Sequence, residues 1–251
     1  MFVAATTQCY PDMPLDETFE KLSHLEFSHV EMGIIESGNH LKPTDVMRDF
    51  QGTLDICTST HRLVVTGFDL DIEQTGEEYF EIFTKWTDLA KAAKVVQLTV
   101  RASEHGTPFN EEVERYKRLV KIAEARGVRV AMRTQIDRLS ADVDTVSVIC
   151  GHVKGVGLAL DPSHYHFGNA EAPSYEKLFP YVHNVYLRDS TPEKLQVRVG
   201  QGIIDYGRII NLLRKESFKR TLCIDIQPQA DVDHDGELRK LRLLLESLVL
   251  I

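Results

Sequence analysis

Strand-like and helix-like segments alternate along the whole chain, and this alternation limits the possible folds more than any other feature of the sequence. Eight short segments show one of the two patterns typical of strands, which are an alternation of apolar and polar residues and a continuous apolar run. The predicted strands are 2–8, 29–33, 63–70, 94–101, 128–134, 156–161, 183–189 and 221–227. A segment with helical periodicity or helix-start signals follows each of them, at 15–27, 43–57, 77–93, 110–126, 140–150, 173–179, 206–215 and 236–250.

Eight strands and eight helices in strict alternation, with no linker between them, predict an α/β fold with one (β/α)₈ TIM barrel. We expect residues 1–251 to form this single barrel domain. A doubly wound open sheet is the alternative. That fold usually carries a glycine-rich turn after its first strand, and the sequence QCYPDMP offers none.

The charge and the cysteine pattern argue against several classes of function. The formal net charge is −9, which disfavours binding to nucleic acid through phosphate neutralisation. The four cysteines are scattered, which is typical of reduced thiols in a cytoplasmic protein. No signal peptide and no apolar run of the roughly 18 residues that a membrane span needs are present. The apolar tail LLLESLVLI could close the barrel or support a homodimer.

The side-chain alternation within the strands predicts a charged ring at one end of the barrel. Apolar residues such as Leu98 and Val130 should face the helices, which turns their neighbours inward. The last inward residue of each strand should then lie at the C-terminal mouth, where TIM barrels carry their active sites. These residues are Glu31, Arg101, Arg133, Asp161, Arg188 and Asp225, with Tyr186 one layer below. Buried charges need partners or a task, so the ring predicts an active site. The alternative is that the charges pair with one another and plug the mouth.

Three segments carry a resemblance to a known family. LALDPSHYHFG contains an Asp followed three residues later by His, and VYLRDS is similar to a His-Leu-Lys-Asp motif. The most specific segment is VGQGIIDYGRII, at 199–210, which is similar to Gly-x-Gly-x-Ile-Asp-Phe. In this order and spacing they resemble the xylose isomerase-like TIM barrels, a superfamily of sugar isomerases and epimerases that also holds endonuclease IV.

The resemblance implies a divalent metal site that this sequence matches only in part. The family's metal is held by a Glu on strand five, an Asp on strand six, a His on strand seven and a Glu on strand eight. Asp161 and the accompanying His164 match, and Asp225 stands in place of the last Glu. Tyr186 replaces the histidine, and Arg133 replaces the Glu of strand five.

Arg133 determines what we expect at the position of the family's metal ion. A guanidinium has only donors and cannot ligate a cation, so we expect Arg133 to fill the metal position by bridging Asp161 and Asp225. No cofactor is expected in that case. The alternatives are one Mn, Mg, Co or Zn ion held by Asp161, Asp225 and His164, or a displaced site that uses Asp161, His164 and His166.

Two functions follow from these residues. The first is a sugar isomerase or epimerase that acts on a small, anionic sugar or sugar acid, with Arg133 stabilising the developing negative charge. The second is a catalytically retired isomerase homologue that binds an anionic small molecule or a partner without turnover. A DNA-repair enzyme similar to endonuclease IV is disfavoured, because strands four, five and seven end in arginines.

Both functions use the same candidate residues. The catalytic candidates are Asp161, Asp225, Glu31, His164 and Tyr186. The candidates for substrate binding are Arg101, Arg133, Arg188, His166 and Asp189.

Overall fold

The computed structural model describes residues 1–250 and contains a closed barrel of eight parallel strands, in the order β1 to β8. The strands are Phe2–Thr6 (β1), His29–Ile35 (β2), Val64–Asp71 (β3), Gln97–Arg101 (β4), Arg129–Arg133 (β5), Val156–Leu160 (β6), Val182–Leu187 (β7) and Thr221–Ile224 (β8). Helical segments connect each strand to the next. The predicted (β/α)₈ fold is confirmed, and only residue 251 of the predicted domain lies outside the described residues.

Helices cover the outside of the barrel. They are Leu15–His24 (α1), Asp45–Arg48 (α2), Phe50–Thr58 (α3), Gly76–Ala92 (α4), Phe109–Glu124 (α5), Val143–His152 (α6), Ser163–His166 (α7), Tyr206–Lys215 (α8) and His234–Leu250 (α9). The predicted helix 173–179 is instead the 3₁₀ helix Glu176–Tyr181, which contains Pro180. Within residues 1–250, no helix is both long enough and apolar enough to cross a membrane.

The two faces of the strands enclose two different cores, as the alternation predicts. Leu98, Val100, Val130 and Met132 are fully buried in the large apolar layer between strands and helices. The interior of the barrel contains a separate small cluster that consists of Ala4, Ala131, Ala159, Tyr186 and Cys223. Four of these five side chains are small, and they leave space in the interior for the tyrosine ring and for long charged side chains.

The strand register shifts at two places, and each shift leaves one residue without a partner on the neighbouring strand. Val30 pairs with Val65 and Glu31 with Gly67, so Thr66 of β3 is skipped. Leu158 pairs with Val182 and Ala159 with Asn184, so His183 of β7 is skipped. Such irregularities re-aim side chains, and they are common at the rims of barrels and beside functional sites.

Candidate active site

Six charged side chains meet inside the barrel at the C-terminal ends of the strands. They are Asp69, Arg101, Arg133, Asp161, Arg188 and Asp225. Five of them belong to the predicted ring, and Asp69 of β3 was missed. The signal for Asp69 was the same alternation, because its neighbours Phe68 and Leu70 are apolar and fully buried against the helices.

These side chains form a continuous chain of alternating guanidinium and carboxylate groups. In the order of their contacts they are Arg101, Asp69, Arg133, Asp225, Arg188 and Asp161. Arg133 donates hydrogen bonds to both Asp69 and Asp225. The Nη2 atom of Arg188 lies 2.7 Å from Oδ2 of Asp225 and 2.9 Å from Oδ2 of Asp161. Three positive and three negative groups therefore balance one another, and we call these six residues the charge network.

The predicted partners of Arg133 are correct for Asp225 and wrong for Asp161. Arg188, not Arg133, bridges Asp161 and Asp225. In the strand register Asp69 lies level with Thr99 and Ala131. Since these two inward side chains are small, the long side chain of Arg133 can extend to Asp69, and Arg188 is left to contact Asp161.

The guanidinium groups keep the carboxylates of the charge network ionised. Burial disfavours the charged form of Asp225, but Arg188 and Arg133 outweigh this effect and hold its pKa at about 2. Burial likewise opposes ionisation of Asp161, and Arg188 is the main group that nevertheless lowers its pKa. Both carboxylates are therefore weak bases at neutral pH, and their oxygens are engaged with arginines.

His164 is held as a neutral imidazole with a defined tautomer. Its Nδ1 accepts a hydrogen bond from the backbone N–H of Ile136 at 3.2 Å, so the proton resides on Nε2. Nε2 lies 3.5 Å from Oδ2 of Asp161. Burial lowers the pKa of His164 to about 4, although Asp161 partly opposes this shift. With its only lone pair in use, His164 is poorly suited to the predicted role of a base.

Tyr186 and Glu31 lie deeper in the barrel. The ring of Tyr186 is fully buried beneath Arg133, whose guanidinium carbon is 3.9 Å from the ring centroid. Oε1 of Glu31 accepts a hydrogen bond of 2.8 Å from Nδ2 of Asn184. Burial, with a smaller effect from Asp69, raises the pKa of Glu31 to about 7. Glu31 was predicted at the mouth, but it lines a cavity at the opposite end of the barrel.

Two predicted substrate-binding residues make other contacts. The ring of His166 packs edge-on against Tyr175 and is not part of the charge network. The carboxylate of Asp189 accepts hydrogen bonds from the backbone N–H groups of Gly200, Gly202 and Ile204, at 2.8, 3.0 and 3.4 Å.

The bonds to Asp189 explain the glycines of the VGQGIID segment. A Cβ at Gly202 would lie 2.1 Å from Oδ1 of Asp189. Gly200 has a φ of +83°, a conformation that favours glycine. Asp189 therefore anchors the loop between β7 and α8.

The predicted ligands do not fit a divalent metal ion. Among residues 1–250, no group of three or more His, Cys, Asp or Glu side chains is arranged so that it could hold one. Asp161 and Asp225 converge on Arg188, which bridges them, and Asp225 also pairs with Arg133. A guanidinium offers hydrogen-bond donors only and repels a cation.

A cavity of about 470 Å³ opens beside the charge network, between the loops that follow β3 and β4. Arg101 belongs to both the charge network and the cavity, because it pairs with Asp69 and also lines the cavity. The other lining side chains include Gln74, Tyr79, Ser103 and Arg138. Apart from Arg101, these residues were not predicted as site residues, since Gln74, Ser103 and Arg138 come from loops without a strand or helix period and Tyr79 lies on helix α4.

A comparison of the sequence with family models places the chain in a family. The family model described as xylose isomerase-like TIM barrel matches residues 19–244. The chain belongs to this family. A search of curated proteins finds no significant match to the sequence.

Solved structures of other proteins show the same fold at low sequence identity. An L-ribulose 3-epimerase is 15% identical over 99% of this chain and 95% of its own, with a TM-score of 0.76. A probable 3-DHS dehydratase, AsbF of Bacillus anthracis, is 14% identical over 98% and 99%, with a TM-score of 0.74. The IOLI protein, solved with a bound zinc atom, is 16% identical over 99% and 98%, with a TM-score of 0.74.

Proposed function

We propose that this member of the family binds a small sugar or sugar acid at the C-terminal mouth, with arginines in place of a divalent metal and without metal-dependent isomerisation. The observation that carries this proposal is the pairing of Asp225 with both Arg133 and Arg188. Asp225 would be a metal ligand in the family pattern, and here its carboxylate is paired with two arginines instead.

Electrostatics disfavour a metal ion in addition to these arginines. Two unit charges of like sign about 4 Å apart repel by roughly 4 kcal/mol at an effective dielectric constant near 20. An ion between Asp161 and Asp225 would meet this repulsion from both Arg133 and Arg188. It could bind only after one guanidinium had moved away, which would leave buried charges of the network without partners.

The cavity beside Arg101 suits a polyhydroxylated acid. Arg101 and Arg138 can hold a carboxylate, because a guanidinium fork matches its two oxygens. Gln74 and Ser103 can exchange hydrogen bonds with hydroxyl groups, and the Tyr79 ring offers a flat apolar face. The names of the solved relatives include an epimerase of a sugar, which supports the same class of ligand.

The protonation states at the mouth argue against turnover by the family's proton transfer. General-base catalysis needs a group with a pKa near the working pH and a free lone pair. Asp225 has a pKa of about 2, and His164 has its acceptor nitrogen bonded to the backbone. The other two carboxylates of the charge network, Asp69 and Asp161, are also paired with arginines.

A second candidate is a metal-independent isomerase or epimerase that uses Glu31 as the base. The observation in its favour is the buried Oε2 of Glu31, which has no hydrogen-bond partner within residues 1–250, and the pKa of about 7 that burial gives this residue fits proton transfer at neutral pH. Arg133 would then stabilise the oxyanion of an enediolate intermediate. This function requires a substrate to reach Glu31 past Tyr186 and Arg133.

Ligand binding at the mouth tests the proposal. We expect hexuronic and aldonic acids to raise the unfolding temperature of the protein, and Arg101→Gln to weaken their binding by at least tenfold. Arg126→Gln is the matched control, because Arg126 pairs with Asp88 away from the cavity. Binding that is equal in the Arg101→Gln variant and the wild type would refute the mouth as the binding site.

Incubation of each bound acid with the protein in deuterated water distinguishes the two candidates. We expect no exchange of carbon-bound hydrogen and no new sugar, with or without added Mn²⁺. Exchange that persists in EDTA and disappears in Glu31→Gln would instead establish the second candidate. Turnover only with added metal would refute both candidates.

A further inference from the structure

A second cavity opens at the N-terminal end of the barrel, opposite the mouth. Its volume is about 330 Å³, and Phe2, Val64 and Thr221, the first residues of β1, β3 and β8, line its rim. Buried Gln97 and Asn184 lie at its inner end. None of the arginines of the charge network lines it, so this cavity is separate from the proposed active site.

Four basic side chains surround this cavity without acidic partners. They are Lys94, Arg129, Lys219 and Arg220. Within residues 1–250, none of the four forms an ion pair, whereas every arginine at the mouth contacts at least one carboxylate. Glu31 is the acidic residue that lines the cavity, and its Oε1 is bonded to Asn184. A positive patch of this kind is unexpected in a chain with a net charge of −9.

Four side-chain atoms of residues that line the cavity are buried and lack a hydrogen-bond partner in the described structure. They are Nε of Arg129, Nδ1 of His183, Oε2 of Glu31 and Oε1 of Gln97. Buried donors and acceptors are normally satisfied, so these atoms mark a place where a ligand could supply hydrogen bonds. Burial lowers the pKa of Arg220, and the charge of Arg129 lowers it further. A negative charge in the cavity would offset both effects.

The local backbone makes room for this arrangement. His183 is one of the two residues that the strand register skips, and Thr66, which also lines the cavity, is the other. A Cβ on Gly157 would lie 2.1 Å from Cγ and Nδ1 of His183, so the glycine allows the ring to turn into the barrel. Three local features of the strands thus shape the same cavity.

We propose that the N-terminal cavity binds a small, doubly charged oxyanion, such as a phosphate group or a dicarboxylate, between Arg129 and Arg220, with His183 as a hydrogen-bond partner. The guanidinium forks match the oxygens of either anion, and Lys94 and Lys219 at the rim add positive charge. The proposal does not depend on the function of the mouth, since the two sites lie at opposite ends of the barrel.

Isothermal titration calorimetry with inorganic phosphate and with malonate, at constant ionic strength, tests this inference. We expect one anion per chain, and at least tenfold weaker binding in both Arg129→Gln and Arg220→Gln. Arg126→Gln, at a paired arginine outside the cavity, should bind within twofold of the wild type, and Arg101→Gln shows whether the anion binds at the mouth instead. The relative affinities for phosphate and malonate then identify the preferred class of anion.

Folding is checked by the unfolding temperature in buffer without phosphate. We expect Arg129→Gln and Arg220→Gln to unfold at or above the wild-type temperature, because each removes a cation without a partner. Lys219→Gln, at an exposed position, should weaken binding about threefold without any change in the buried residues. The inference is wrong if neither anion binds, if Arg129→Gln and Arg220→Gln both bind normally, or if only Arg101→Gln abolishes binding.

Discussion

Replacement of Arg133 by methionine tests the central feature of this barrel, the charge network. The substitution retains a long side chain over Tyr186 and removes the positive charge between Asp69 and Asp225. Each of the two carboxylates retains one arginine, Arg101 or Arg188, but the network changes from neutral to a net charge of −1. Removal of one partner from a buried ion pair typically costs about 3–5 kcal/mol.

We expect the free energy of unfolding of Arg133→Met to fall by about this amount at pH 7, which corresponds to about 6–20 °C in unfolding temperature for a chain of this size. The loss should depend on pH. The pKa of Asp225 is about 2 in the native protein, below its unfolded value near 3.9, so its contribution is present above pH 4 and disappears as the pH falls towards 2. Because the substitution raises this pKa, the difference between variant and wild type should narrow in the same pH range.

Urea unfolding at several pH values between 3 and 7 measures both effects. Arg126→Met is the matched control, since Arg126 forms a partly exposed pair with Asp88 and should change stability by no more than about 1 kcal/mol. The double variant Arg133→Met/Asp69→Asn restores a neutral network and should recover about 1–3 kcal/mol. A loss below 1 kcal/mol in Arg133→Met, or a loss that is independent of pH, would refute the account of the charge network.

Three further predictions concern the loop, the barrel interior and metal content. Asp189→Ala should lower the free energy of unfolding by about 3 kcal/mol, because four backbone N–H groups, those of Ser190, Gly200, Gly202 and Ile204, lose a charged acceptor. Asp205→Ala, which removes only the N-cap of α8, should cost about 1 kcal/mol, and equal losses would contradict the anchoring role of Asp189. Gly157→Ala should lower the free energy of unfolding by about 1–3 kcal/mol, because the added Cβ clashes with His183. The double variant Gly157→Ala/His183→Ala should not suffer this clash, and an equal loss in the double variant would contradict it. Dialysis against EDTA should change the unfolding temperature by less than about 1 °C if arginines take the place of a metal ion as proposed. A larger fall, with stoichiometric metal by elemental analysis, would refute that proposal.

The inward and outward faces of the strands could be predicted from sequence, because they depend on a local period of two residues. The apolar residues of β4 and β5 lie against the helices, and Arg101 and Arg133 point into the barrel as predicted. The same rule, applied to β3, would have identified Asp69. The position of a side chain along the barrel axis was less predictable, since Glu31 was expected at the mouth and instead lines the N-terminal cavity.

The sequence by itself determined the (β/α)₈ barrel, the family, and the convergence of arginines and aspartates at one end. Only the tertiary structure decided which arginine contacts which aspartate, and that four basic residues surround a cavity at the other end. The physical reason is that both depend on the relative register of all eight strands, including the shifts beside Glu31 and Ala159. Register is a property of the closed barrel, and no single strand encodes it.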